Sequence, residues 1–556
     1  MITAYENIRR TVYARWTRFV THSRPSSYPF ISGDTFRSLA DHIYDDTQVC
    51  RAEDVKKGES VFVKTDLLEK FFATVHTDIR APYRLITHNS DREITAKELA
   101  YIDEKIIRWF AHNVTTSHPQ ITPLPIGLES QHYYQSGDVQ SIQKLLSEET
   151  SPILDKVLYG FSPSTNPKER TDALRSLRTC THADEIKMRL SPIAYYKKLQ
   201  SYKFVAAPRG NGVDTHRVWE ALLFGVIPIV RRNPVVEHFQ KMGLPVLIID
   251  TWDEIKKMTP EYLSKYYQET MRVCSPTKDN LLSWAYWQGI IRAPESMRDE
   301  AVVVVATGKK FQKIYERYFK KSHEDFCFAI RRPLIVIGDV IQKVDKRPTW
   351  QKLVMFRTPL LSTIGRVMLM DADIYIKNEA IENPLDLVPR EQWGLTPNNA
   401  FNLPTLAVTD LTLYNHCPPQ NRPNFVLNCG FFIINKKVHG EIMEYVFKNY
   451  DEQICDEQGP FCYHLINEFP GTILPFRFNN IVGSYMEKYG YSMTSVIHLH
   501  RDSLMLHFAG KSNRKILRLF LLFRRYPRLE KVMRQVWFLR GADILTSIIK
   551  KIRRIP

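Results

Sequence analysis

Nowhere in its 556 residues does the chain reach the eighteen or so consecutive apolar residues of a membrane-spanning helix. Its eight cysteines lie scattered, with no Cys-x-x-Cys pair and no metal-ligand spacing. That speaks for reduced, mostly buried thiols and for a cytosolic chain. Internal repeats and low-complexity tracts are missing as well. Residues 1–18 mix Glu6, Arg9, Arg10 and Arg15 with no apolar core, so a signal peptide is not expected there.

What the chain does have is core-forming residues and an uneven charge. A hydrophobic fraction of 44% with 12% aromatics is ample for packed cores, and the length asks for more than one domain. From Lys511 to Pro556, 14 Lys and Arg face only Glu530 and Asp543, which is +12 of the chain's net +17. Leu517, Phe520, Trp537, Phe538 and Ile544 recur there near the helical period. Two readings stand equal: basic amphipathic helices lying on an anionic membrane, or a helical cap with a solvated basic face. Nucleic-acid binding ranks last, because no recognised module accompanies the charge.

The most informative stretch is Asp371-Ala372-Asp373, which closes the apolar run Val367-Met368-Leu369-Met370. An isolated Asp-x-Asp is usually a solvated pair in a turn. At the mouth of a buried strand, alternation lets both carboxylates converge, and hard oxygen ligands suit magnesium or manganese completed by phosphate. Ala301 to Ala306 predicts a fully buried parallel strand, Thr307-Gly308 a turn, and Phe311 to Phe319 a helix. Ligands of open α/β sheets bind beyond strand carboxyl ends, where both the turn and the Asp pair fall.

Two later segments complete the pattern: Asn424-Phe425-Val426-Leu427-Asn428-Cys429-Gly430 with its apolar continuation to Asn435, and Leu506-His507-Phe508-Ala509-Gly510-Lys511. Together the three resemble the GT-A glycosyltransferases of families 8 and 34, over residues 300–515. The resemblance implies Asp371, Asp373 and His507 as ligands of Mn2+ (or Mg2+), with Asn428 and Gly430 lining the donor sugar. It also implies Lys511 on the diphosphate, a UDP-sugar donor, and a transfer that retains anomeric configuration. Thr307 and Gly308 would approach the nucleotide. Lys352, on an expected helix before the Asp-x-Asp strand, could reach the donor, although a surface lysine is the plainer role. Asp456-Glu457-Gln458 resembles the acidic segment that contacts sugar or acceptor, and from it Asp456 and Gln458 are taken as catalytic candidates.

A second signature stands upstream, Pro208-Arg209-Gly210-Asn211-Gly212-Val213-Asp214-Thr215-His216-Arg217-Val218-Trp219-Glu220-Ala221-Leu222, continuing to Gly225 and Pro228-Ile229-Val230. It predicts strand, glycine loop, helix and strand, with Asp214 or Thr215 as N-cap and Gly225 ending the helix. A helix N-terminus beside two glycines and an arginine favours an anion. Arg217 and Glu220 share one helix face. The segment resembles the exostosin-like, family 47-like GT-B glycosyltransferases, as do Arg84 to Asp91, Trp109 to Asn113 and Ile121 to Gly127, over residues 25–295. On that resemblance Arg209, Arg217 and Glu220 bind the donor, and no metal is expected. His88 and Asp91, on the acceptor-side lobe, are candidate bases, and Asp34 is a further one.

The expected architecture is α/β: an N-terminal extension (1–24), a GT-B-like double Rossmann module (25–295), a GT-A-like α/β module (300–515) and a basic helical tail (516–556). Residues 132–144 and 275–280 are expected to be connectors. The expected activity is a bifunctional glycosyltransferase that moves sugars from nucleotide sugars to a glycan or lipid-linked glycan at the cytoplasmic face of a membrane. A single-activity enzyme with one acceptor-binding module, and a carbohydrate-binding scaffold, are the alternatives.

Overall fold

The computed structural model describes residues 24–133, 137–148, 154–338, 341, 347–377, 382–397, 415–423, 427–482, 485 and 493–508. Lys511, the tail from 516 and the extension up to residue 23 lie outside them. The chain divides into two compact units, Met1–Arg298 with Met355–Thr363, and Asp299–Val354 with Ile364–Pro556.

The first unit is built on two five-stranded parallel sheets. One holds β1 (His42–Tyr44), β2 (Ser60–Lys64), β3 (Tyr83–His88), β4 (Ile106–His112) and β5 (Ile121–Leu124), paired in that order. The other holds β6 (Leu154–Tyr159), β7 (Ala183–Glu185), β8 (Tyr202–Ala206), β9 (Ile227–Arg231) and β10 (Leu247–Ile249), in the order β10-β9-β8-β6-β7. Every residue of β3 is buried, as a parallel strand covered on both faces requires. Trp109 and Trp219, both fully buried, anchor the packing of the two halves, each worth several kcal/mol, on the order of 3–5 on truncation.

Two stretches expected to be connectors are partly helical. Val139–Ser147 is a helix because Val139, Ile142 and Leu145 fall on one buried face and Asp138 accepts from Ser141 N–H. Residues 275–280 lie inside the 22-residue helix Pro260–Leu281. Packing against β6 and the bonds from Tyr266 to Val246 O and from Tyr267 to Gly225 O hold that helix in place.

The second unit holds a mixed six-stranded sheet. Its strands are β11 (Glu300–Val305), β12 (Leu334–Ile337), β13 (Arg366–Asp371), β15 (Trp393–Pro397), β16 (Leu427–Asn435) and β17 (Gly471–Ile473), in the order β12-β11-β13-β16-β15-β17. β16 runs antiparallel to both neighbours, and the other pairs are parallel. The β-branched run of β11 is buried, which suits an interior strand. A small sheet of β14 (Ile374–Ile376), β19 (Met505–His507) and β18 (Asn480–Ile481) lies where β13 ends. At the opposite end of β11, buried Glu300 is ion-paired with Arg332 and Arg366 at 2.8 and 3.1 Å, so the charged end of the strand is satisfied. Among the described residues no helix is long and apolar enough to cross a membrane.

Candidate functional site

In the second unit, Val305 of β11 lies opposite Asp371 of β13, so Thr307 and Gly308 leave the sheet at the same edge as the Asp-x-Asp. Gly308 has φ +92, open to glycine and strained for other residues, and it starts the helix Lys309–Tyr318. Past Ala372 the chain enters β14, whose antiparallel register sets Ile374 opposite His507, and Phe508 N–H donates to Asp373 O at 3.0 Å. That pairing delivers a residue from far along the chain. His507 Nε2 stands 3.3 Å from Asp373 Oδ1 and 3.7 Å from Asp371 Oδ2.

One ligand atom from each of Asp371, Asp373 and His507 lies within 4.8 Å of the others. Residue 430 must be glycine for this, because a Cβ there would stand 2.4 Å from His507 Cε1. Burial lowers the pKa of His507, but Asp373 and Asp371 outweigh it and the net is upward. Burial raises the pKa of Asp373, but His507 outweighs it and the net is downward. Two hard oxygens and one imidazole nitrogen fit Mn2+ or Mg2+, with the remaining positions left to phosphate and water. A thiol-seeking metal would find no sulfur in the set.

Lys352 lies on a run of 3-10 turns, Pro348–Arg357, rather than on an α-helix. It is buried, and its Nζ reaches Asp371 Oδ1 at 3.1 Å, Cys429 O at 3.1 Å and Glu457 Oε1 at 3.3 Å. Burial lowers its pKa, yet Asp371 and Glu457 more than offset that, so the ammonium stays charged. Glu457 is the residue that sequence reasoning passed over. Asp456 is exposed, and its carboxylate accepts from Gln458 N–H at 2.9 Å. Gln458 opens the helix Gln458–Glu468 and accepts from Cys429 N–H at 3.2 Å and from Asn428 Nδ2 at 3.4 Å. The only signal for Glu457 was its place in the Asp-Glu-Gln run, which does not say which carboxylate turns inward. Asn428 Oδ1 accepts from Gly430 N–H and from Asn479 Nδ2, both at 2.8 Å. Asn424 to Val426 and Lys511 lie outside the described residues.

The first unit has a cleft of ≈280 Å³ lined by Asp91, Arg170, Gly210, Gly212, Arg217 and Glu220, together with the helix start at Thr215 and His216. A Cβ on Gly212 would stand 2.8 Å from Asn113 Nδ2, so the glycine lets the two strand edges approach. Asn89 and Asn113, just past β3 and β4, have φ of +61 and +55, a left-handed turn that asparagine tolerates. Thr215 is the N-cap of the helix His216–Leu223 without a side-chain cap bond. Asp214 turns inward instead, accepting from Ile126 N–H at 2.8 Å and from Trp219 Nε1 at 2.9 Å, and burial pushes its pKa up to about 6.

Arg170 and Arg217 face this cleft, and neither makes an ion pair among the described residues. Their guanidinium carbons lie 5.8 and 5.9 Å from the Phe161 ring centre. Burial, then the charge of Arg217, lowers the pKa of Arg170. Two guanidiniums beside a glycine loop are suited to an anion, and Arg170 also donates to Arg209 O at 3.0 Å and to Ser162 O at 2.9 Å. Arg170 was not found from sequence, because Lys168 to Arg178 reads as a solvated helix face. Arg209, by contrast, turns its guanidinium to Glu93 at 2.9 Å and does not line the cleft. Glu220 lines it, accepts from Tyr196 Oη at 3.1 Å, and is raised in pKa by burial.

Asp91 stands on the facing wall, accepting from Asn211 Nδ2 at 3.2 Å. His88 is buried beneath: Nδ1 accepts from Asn89 N–H at 2.8 Å and Nε2 donates to Pro125 O at 3.2 Å. Burial lowers its pKa to about 4, so the ring is neutral and structurally engaged. Asp34 is buried with His132 Nδ1 at 2.5 Å and Asn89 Nδ2 at 3.1 Å, away from the cleft lining.

No protein-family model matches the chain, and no curated protein matches it. Among solved structures it is similar to a glycosyltransferase involved in the glycosylation of the major capsid of PBCV-1, at 15% identity and a TM-score of 0.29, over 40% of this chain and 99% of that chain.

Proposed function

We propose that this chain is a glycosyltransferase that uses nucleotide-sugar donors at two sites, one in each unit, and passes the sugars to a glycan or lipid-linked glycan. The observation that carries the reading is the meeting of Asp371, Asp373 and His507 within 4.8 Å at the edge of a mixed sheet. Held by those three, Mn2+ or Mg2+ would offset the charge that develops on a leaving diphosphate. The protein's own residues supply the rest of the second site. Lys352, fixed between Asp371 and Glu457, orients Asp371 and adds a permanent positive charge beside the diphosphate. Asn428 and Gly430 meet the sugar, and Gln458 holds that strand in place. The donor is a UDP-sugar, and the transfer retains configuration. Lys511 would add a further charge on the diphosphate, and the basic tail would rest on an anionic membrane at its cytoplasmic face.

At the first site Arg170 and Arg217 take the place of a metal against the leaving group, and Glu220 accepts ribose hydroxyls. Asp91, on the facing wall, takes the proton of the acceptor hydroxyl. His88 is not that base, because both its ring nitrogens are engaged with the backbone. Turnover of a nucleotide-sugar panel by the full chain, with Mn2+ or with EDTA, tests the reading. Two activities are expected, one lost with EDTA and one resistant. No turnover and no donor binding under either condition would reject it.

A further inference from the structure

Asn479 occupies a place that its packing alone does not explain. It is 1% exposed, and its Oδ1 is buried without a hydrogen-bond partner, a costly state for an amide oxygen. Its Nδ2, however, is used twice, donating to Thr396 Oγ1 at 3.0 Å and to Asn428 Oδ1 at 2.8 Å. Thr396 and Asn428 lie opposite each other across β15 and β16, at the irregularity after Leu395. Asn479 thus bridges the two strands, and it does so only with donors.

The direction of these bonds fixes a polarity. Asn428 Oδ1 already accepts from Gly430 N–H, and Asn479 gives it a second donor. An amide oxygen has two lone pairs, so this end of Asn428 is saturated and points inward. Its Nδ2 is turned the other way, toward Gln458 Oε1. Were Asn479 turned over, two oxygens would face each other, Asn428 would have to flip, and Gly430 N–H would lose its acceptor. Asn428 and His507 both press on the position of the missing Gly430 Cβ, at 2.7 and 2.4 Å, so the amide lies directly beside the cation triad.

We propose that Asn479 is a positioning residue that sets the amide of Asn428 with its NH2 toward the donor sugar, so that the site selects a sugar oxygen able to accept there. This rests on the reading of the second site as a nucleotide-sugar site. Asn479 touches neither sugar nor metal and acts through Asn428.

The test compares binding of UDP with binding of UDP-glucose, UDP-galactose, UDP-N-acetylglucosamine and UDP-xylose, all with Mn2+, to the full chain and to Asn479→Asp. In N479D an acceptor faces Asn428 Oδ1 and turns the amide over. The wild type is expected to bind at least one UDP-sugar more tightly than UDP. N479D is expected to lose that extra affinity by about tenfold while binding UDP·Mn2+ as before. If N479D does not fold, Asn479→Leu, which removes the donor without adding an acceptor, is expected to lose about threefold of the sugar increment. An equal loss for UDP and UDP-sugar would make Asn479 merely structural and overturn the proposal. So would an unchanged increment, or a wild type that gains nothing from any of the sugars. Failure of the wild type to bind UDP with Mn2+ at all would instead reject the underlying reading of the site.

Discussion

Gly430 is small because His507 lies against it. A methyl group there would stand 2.4 Å from the ring and must move a buried histidine with little room to go. Gly430→Ala is therefore expected to weaken Mn2+ binding at least tenfold and to cost on the order of 1–3 kcal/mol of stability, read by calorimetric titration and by urea melts. In the first unit, His88 makes a different kind of claim. Its folded pKa of about 4 lies below the usual 6.5, so between those values the unfolded chain takes up the proton first. Stability is thus expected to be full above pH 6.5 and to fall as the pH drops toward 4. His88→Gln, which can still donate to Pro125 O, is expected to flatten that slope by about one proton, measured as the pH dependence of the urea midpoint.

At the scale of elements, what could be read from sequence and what could not have physical reasons. The Asp-x-Asp was legible because an apolar run that stops at two carboxylates marks a strand end, and β13 does end at Asp371. The meeting with His507 came from resemblance. Only the antiparallel pairing of β14 with β19 shows how the chain achieves it. Glu457 was missed because it stands at the turn into a helix, where one residue of register decides which carboxylate faces Lys352. Arg170 was missed because a basic residue in a helical first turn has no local pattern to set it apart from a solvated one. It gains meaning only from the loop Gly210–Gly212 arriving from β8. Arg170→Ala and Arg217→Ala are each expected to weaken UDP binding in the absence of metal by about tenfold or more, the loss of a charge-assisted bond of roughly 1.5–3 kcal/mol, measured by equilibrium binding.

At the scale of the whole molecule, two sites are expected to answer to different reagents. One depends on a divalent cation and the other on arginines, so EDTA and substitution should dissect them in the intact chain. Asp373→Asn is expected to abolish the Mn2+-dependent turnover and to leave the EDTA-resistant turnover and the melting temperature near wild type. Arg170→Ala is expected to do the reverse. The most direct test of the central claim is Mn2+ binding itself, followed by electron paramagnetic resonance on the full chain and on D373N, with and without UDP. The wild type is expected to show one site that tightens when UDP is added and is lost in D373N. Equal binding by D373N, or a wild type that holds no Mn2+ even with UDP present, would contradict it.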